Sequence, residues 1–299
     1  MSTDYNIIDN FCTTRDPLWL EKLHYDTKQF FLIMSKFVLD KQKGNQDIAQ
    51  LVVDNLIVEG NVTISRLGGR GKPWPQAPDD YINVNVTSGS ANKAGGYFMK
   101  QVSPMYLGPI TRDIWPMIGQ LEALLFENYW QYSKVFPDMK KPQIDTHGNV
   151  TPEWYRWRRK GFSETKGHRH PRGTKTNEVM YVDDRGHNHY KYLRAIFALF
   201  GDESTGYEKM DYITSRKKVY VPLYYELVVR TPAFQALRED VKRGKKVQIL
   251  DLDAPDTTQY ITPDFLRWAV NEHSPFGKPF GHGYVVAGAL LGITPRDYT

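Results

Sequence analysis

Glu127, Gln131 and Lys134 stand four and three residues apart in FENYWQYSKVFP (126–137), directly after the apolar run LEALL. At a helical 100° per residue they fall within about 60° of one another. Leucine, tyrosine, valine and phenylalanine side chains occupy the opposite side, and Phe126 and Trp130 flank the stripe. A helix that is apolar nearly all round is a buried helix, so its one polar line faces either solvent or an internal cleft. In a cleft, a carboxylate on a rigid helix can take a proton from water or stabilise a neighbouring cation. On a solvent face the same residues make a minor pair and nothing more.

Four other groups carry chemistry. WYRWRRKGFSETKGHRHPRGTK (154–175) holds eight Lys/Arg and one Glu. Its Arg156, Arg158, Arg159, Lys160, Arg169 and Arg172, alternating with aromatics, suit phosphate contacts and base stacking, or else a solvated basic loop. The pairs His168/His170 and His187/His189 offer four imidazoles to a metal, but in a segment of weak regular structure, and no metal centre is expected. Asp251, Asp253 and Asp256 cluster after an apolar strand pattern, where they suit ribose hydroxyls, a cation or simple turn formation. GKPFGHGYVVAGALLG (277–292) spaces glycines ahead of a helix, so free N–H groups there can meet a phosphate. It is neither a Walker loop nor a dinucleotide fingerprint, and no cofactor is expected.

These groups need a scaffold. With 40% apolar and 24% charged residues, the 299-residue chain has the composition of a globular protein rather than a disordered one. A net charge of +5 permits a polyanionic partner without requiring one. Cys12 is the only cysteine, which excludes an internal disulfide or a multi-cysteine metal site and points to a reducing compartment, with no disulfide-linked partner expected. The start lacks a signal-peptide pattern, and the longest apolar run, YVVAGALLGI, is too short to span a bilayer. A cytoplasmic protein without a membrane partner is therefore expected.

Periodicity predicts helices over about 18–41, 46–57 and 117–136, around Tyr190–Phe200, and over 221–244, 262–272 and 283–292. Strands are expected at about 58–67, twice within 81–110, and at 245–253. The Gly/Pro-rich 69–80 separates an N-terminal helical extension (1–80) from a main domain (81–299), into which 138–215 is a long insertion. The fold class expected is mainly α with a few short strands.

In order along the chain, these pieces resemble the NADAR superfamily. ENYWQYSKVF looks like that family's E-x-[YF]-[FYW]-Q-x-x-K-[FV] helix, and VTSGSANKAGGYFMKQVSPMYLGPI is similar to its upstream strand and glycine turn. Ser103-Pro104-Met105 stands at its Ser-Asn-Phe-like tripeptide, LDLDAPD at its acidic strand end, and GHGYVVAGALLG at its closing glycine segment. The resemblance covers about 81–137 and 216–293. It implies a largely helical fold and hydrolysis of N-glycosidic bonds. Some members act on ribosylated pyrimidine intermediates, others remove ADP-ribose from guanine.

Carried onto this chain, Glu127 becomes the catalytic carboxylate. Gln131, Lys134, Trp130, Ser103, Asp251, Asp253 and His282 become substrate contacts, and the basic residues of 154–175 a nucleic-acid surface. The leading expectation is an N-glycosidase acting on an ADP-ribosylated base, guanine in nucleic acid. The alternatives are a house-cleaning enzyme for a phosphorylated ribosylamino-pyrimidine, and a non-catalytic binder of nucleic acid or ADP-ribose.

Overall fold

The computed structural model describes residues 61–68, 73–87, 96–271 and 279–299, together with single positions between Ile8 and Val52. The helices expected over 18–41 and 46–57, and Cys12, fall almost wholly outside the described residues. The chain forms two compact units, one of 1–103 and 224–299, the other of 104–223.

Three strands come first: β1 (Val62–Arg66), β2 (Tyr81–Asn85) and β3 (Gly96–Phe98). The middle stretch carries α1 (Phe126–Tyr132), β4 (Lys134–Val135), α2 (Pro152–Phe162), β5 (Lys175–Val182), β6 (Asn188–Tyr192), β7 (Phe197–Asp202), β8 (Gly206–Met210) and the short α3 (Tyr212–Ser215). A π-helical turn, Arg216–Tyr220, leads to α4 (Val221–Val228) and α5 (Pro232–Lys242). The chain then adds β9 (Lys246–Asp251), β10 (Gln259–Tyr260), α6 (Pro263–Asn271) and α7 (His282–Leu290). This is a mixed α/β protein, and the expectation of a mainly α fold is corrected by its sheets. Among the described residues no helix is long and apolar enough to cross a membrane.

In the first unit the five strands run in the order β10-β1-β9-β2-β3. β1, β9, β2 and β3 are parallel to their neighbours, and β10 is antiparallel to β1. β1 lies in the segment expected to be an extension, yet it is a full partner of β9 in this sheet. Register sets Val62 and Ile64 level with Val247 and Ile249, and Val84 level with Ile249. That alternation gives one apolar face, on which Asp251 also falls. The other face carries Thr63, Ser65, Asn83, Asn85 and Gln248, all buried. Burying it requires partners: Gln248 Nε2 donates to Asn83 Oδ1 (2.8 Å), Asn83 Nδ2 to the Pro75 carbonyl (2.8 Å), and Thr258 Oγ1 to Gln248 Oε1 (2.8 Å).

In the second unit, β4-β7-β8 form an antiparallel sheet and β5-β6 a separate ribbon. The helix expected at 117–136 is confined to Phe126–Tyr132. Upstream, Ile110 and Ala123 form a β-bridge, and Gly119 turns with φ +71° so that Gln120 N–H reaches the Asp202 carboxylate at 2.6 Å. Burial disfavours that charge, but hydrogen bonds from Gln120, Ser204 and Thr205 hold the Asp202 carboxyl far below the usual range. Downstream, Ser133 closes α1 and the chain turns extended into β4.

The helix expected around Tyr190–Phe200 is β6 and β7 instead. The 221–244 block divides at Thr231-Pro232: Pro232 opens α5, and Thr231 Oγ1 caps it by accepting from Phe234 N–H at 3.2 Å.

Candidate active site

α1 starts without a side-chain cap, and backbone carbonyls take its first free N–H groups. Phe126 N donates to Leu107 O (2.8 Å) and Glu127 N to Pro104 O (3.0 Å). Aromatic packing fixes the helix. Phe126 and Trp130 meet Tyr220 edge-on at 5.1 and 4.9 Å, and Tyr129 lies against Phe162 and Phe200. Trp130 also lies parallel to Phe200, so its ring is a packing element rather than an open stacking platform.

Two polar residues of this helix and one just past its end form one hydrogen-bonded chain. Gln131 Nε2 donates to Glu127 Oε1 at 2.9 Å, and Lys134 Nζ donates to Gln131 Oε1 at 2.8 Å. Glu127 is 7% exposed, a carboxylate nearly withdrawn from water, and it sits in the first helical turn, where the backbone dipole favours negative charge. Although Lys134 lies beyond the helix end, its side chain folds back over the Trp130 ring at 5.2 Å. Its backbone carbonyl is fixed by Trp154 Nε1 at 3.0 Å. Burial draws the Lys134 ammonium down to about 8, against the pull of Glu127 and with the help of Arg169. His170 is likewise lowered, by burial and then by Arg169 and Lys134. Lys134 and Arg169 thus make a positive pair at the C-terminal end of α1, and beside them the charged form of His170 is disfavoured.

Lys134 loses its charge as pH rises through about 8. If the ammonium holds a substrate phosphate or keeps the Gln131–Glu127 chain polarised, kcat/KM falls on a basic limb near that value. Lys134→Arg keeps its charge and is expected to move the limb out of the accessible range. A profile that is the same in both proteins would show that Lys134 does not set it.

Asn128 is a part of the site that sequence reasoning missed. It is fully buried; its Nδ2 donates to the carbonyls of Glu164 and Lys166 (3.0 Å each), and its Oδ1 accepts from His168 N–H (2.9 Å). It therefore ties the 164–168 loop to the residue beside Glu127. The available signal was an amide inside an apolar helix, away from the Glu127 stripe.

The basic segment is a helix followed by a loop, and not all of its basic residues reach the surface. Arg156, Arg159 and Lys160 are exposed on α2, and Arg169 and Arg172 are exposed on the loop. Arg156 pairs with Glu153 (2.8 Å) and Arg159 with Glu203 (3.3 Å). Arg158 is 1% exposed and points inward, with its guanidinium 4.6 Å from the Phe162 ring and 5.3 Å from Trp154. It cannot reach a nucleic-acid phosphate, so the expected contact set loses it.

The four histidines do not converge. His168 pairs with Glu164 (2.8 Å), His170 stacks on Tyr192 (3.8 Å), and His187 and His189 both face Asp183 (3.3 and 3.1 Å). Among the described residues, no group of three or more His, Cys, Asp or Glu could hold a metal ion.

The remaining expected contacts belong to the first unit. Asp251, at the end of β9 and 1% exposed, accepts from Gly283 N–H at the start of α7 (2.7 Å). A Cβ at Gly281 or Gly283 would lie 2.5 or 2.6 Å from Asp251 atoms, which is why both positions are glycine. The anion at this helix start is the protein's own carboxylate, where the sequence pointed to a phosphate. His282 is held by Asp251 (Nδ1, 3.4 Å) and the Val86 carbonyl (Nε2, 2.9 Å). Asp253 is half-buried, and its carbonyl accepts from Tyr284 Oη at 3.3 Å. Ser103 is buried, closing the 3-10 turn Lys100–Val102 through its N–H to Lys100 O.

Compared with known protein families, curated proteins and solved structures, the chain matches none. The class that fold and site define is thus a mixed α/β protein in which a buried carboxylate on an aromatic-packed helix is hydrogen-bonded through a half-buried amide to a half-buried lysine.

Proposed function

We propose that this chain is an N-glycosidase, hydrolysing the C1′–N bond between ADP-ribose and a base, guanine in nucleic acid being the leading candidate. The observation that carries this reading is the Glu127–Gln131–Lys134 chain, with Glu127 nearly buried and linked through Gln131 to the Lys134 ammonium. Breaking a C1′–N bond builds oxocarbenium character on the sugar. A fixed carboxylate next to C1′ stabilises that charge and takes the proton of the attacking water. Gln131 holds the carboxylate in one orientation, and Lys134 with Arg169 suits a phosphate on the sugar's far side. The ordered likeness of ENYWQYSKVF and its neighbouring motifs to the NADAR superfamily supports the same chemistry, on motif residues alone. A cytoplasmic setting accords with the single Cys12.

One observation favours the second reading, a free phosphorylated ribosylamino-pyrimidine. Arg158 is internal, and Arg156 and Arg159 already have carboxylate partners, so fewer cations are available to a polymer. Salt separates the two. A nucleic-acid substrate making Z phosphate contacts gives a log–log salt slope of about −0.7Z to −0.9Z. A steep slope that flattens when Arg169 and Arg172 are changed to Gln supports a polymer. A shallow slope, insensitive to those changes, contradicts it and supports the metabolite.

A further inference from the structure

Arg158 sits on α2 with its side chain inside the second unit, and a guanidinium cannot shed its charge to suit that burial. Its Nε, Nη1 and Nη2 all lack a hydrogen-bond partner among the described residues. The contacts it makes are with ring faces: Phe162 at 4.6 Å, Trp154 at 5.3 Å and Tyr207 at 5.6 Å. Ring faces offset part of the cost of burying the cation, but they give its N–H groups no acceptor.

Two more donors gather beside it. Tyr129 Oη and Trp115 Nε1 are withdrawn from solvent and likewise without a partner among the described residues. Tyr129 packs at 5.4 Å on the same Phe162 ring that Arg158 covers, and Trp115 and Arg158 are both close enough to influence its hydroxyl. Burial pushes the Tyr129 and Tyr207 hydroxyls above their usual range, so neither supplies a phenolate counter-charge. The carboxylate that acts on Arg158 is Asp202, and its oxygens are already taken. They accept from Gln120 N–H (2.6 Å), from Ser204 N–H and Oγ (2.9 and 2.7 Å) and from Thr205 N–H (2.9 Å).

We propose that Arg158, Tyr129 and Trp115 bind a small monovalent inorganic anion of the chloride class, on the side of α1 away from Glu127. The donors select this ligand. Arginine and tryptophan side chains only donate, and a tyrosine hydroxyl can donate as well, so an anion accepts from all three. A water bound there also carries two protons that need acceptors, and of these groups only the tyrosine hydroxyl accepts. Charge sets the valence. Asp202 is balanced by its own donors, which leaves one guanidinium charge to be matched, and one negative charge matches it. The anion would tie α1, through Tyr129, to α2, through Arg158.

Bromide is the probe. Crystals of the full chain grown with bromide as the halide are expected to show an anomalous peak within hydrogen-bond distance of Arg158, Tyr129 Oη and Trp115 Nε1. In solution, with ionic strength held constant by gluconate, the urea midpoint should rise with bromide concentration as ligand binding at one site requires. Tyr129→Phe keeps the packed ring and removes one donor, and should weaken bromide affinity about tenfold. Arg158→Met replaces the cation by an apolar chain and should abolish the bromide dependence. A water at the position of the peak, a midpoint indifferent to bromide, or a bromide effect of equal size in Arg158→Met overturns the proposal. If Arg158→Met does not fold, the anomalous peak and Tyr129→Phe decide it. Diffraction and unfolding read this site without reference to turnover, so its failure and that of the proposed glycosidase activity are separate results.

Discussion

Glu127→Gln is expected to lower kcat by about 10²- to 10⁴-fold while leaving KM within a few-fold of its original value. The substitution keeps volume, and the amide oxygen can still accept from Gln131 Nε2, which now stands 2.9 Å from Glu127 Oε1. On the proposed N-glycosidase reading, what disappears is the charge that faces a developing oxocarbenium and the base that takes the proton of water. Because the site is 7% exposed and helix-borne, no other solvent-side group replaces it. Substrate binding through Lys134 and Arg169 should persist, so the variant should still bind ADP-ribosylated substrate. Unfolding by denaturant should be close to wild type. Retained turnover would remove Glu127 from the mechanism; a loss of both fold and turnover would be read from the unfolding curve.

Gly161→Ala is expected to cost about 1–3 kcal/mol of stability, and most of the activity with it. A Cβ at this position of α2 would lie 2.1 Å from the Tyr132 ring, far inside van der Waals contact. The ring is held in place by Trp157, one turn back on α2 (4.5 Å), and by His168, which meets it edge-on (6.3 Å). The two helices must separate instead. Tyr132 adjoins Gln131 at the end of α1, so the displacement is transmitted to the chain that orients Glu127. A shift near 1 Å at a reacting group costs about 10²-fold in rate. The midpoint of urea unfolding should fall with an unchanged slope, and kcat should fall more than stability alone accounts for at a temperature where the variant is folded. An unshifted midpoint would show that α1 and α2 are not tightly coupled.

The Glu127–Gln131 pair was readable because helical spacing alone aligns it; Lys134 joins it from the first residue of β4, by folding its side chain back over Trp130. The strand at 245–253, and the helices at 262–272 and 283–292, were equally readable, since each has clear periodicity and turn signals at its ends. The length of α1 was not. Its upstream apolar residues are used by a β-bridge between Ile110 and Ala123, a pairing set by tertiary contact. YKYLRAIFALF was read as a helix because a short apolar run does not separate periods of two and 3.6. It is two strands split by an extended link.

The parallel sheet was hidden for another reason. β1 and β2 meet through β9, some 160 or more residues away, as in the pairs Ile82↔Val247 and Val62↔Val247. No local pattern encodes such a pairing, and a few isolated strands read as an α fold with minor β. The inward turn of Arg158 was also invisible. Beside Arg156, Arg159 and Lys160 its type is the same, and only the aromatic surroundings of Trp154 and Phe162 distinguish it.

The central claim is cleavage of a C1′–N bond, and the most direct measurement is product analysis by mass spectrometry. The wild-type chain and Glu127→Gln are incubated in parallel with ADP-ribosylated DNA, ADP-ribosylated RNA and free ribosylated nucleosides. Release of intact ADP-ribose and an unmodified base by the wild type, lost in Glu127→Gln, is the predicted result. Substrates bound but returned unchanged by the wild type, or products cut at the pyrophosphate instead of C1′–N, would contradict it.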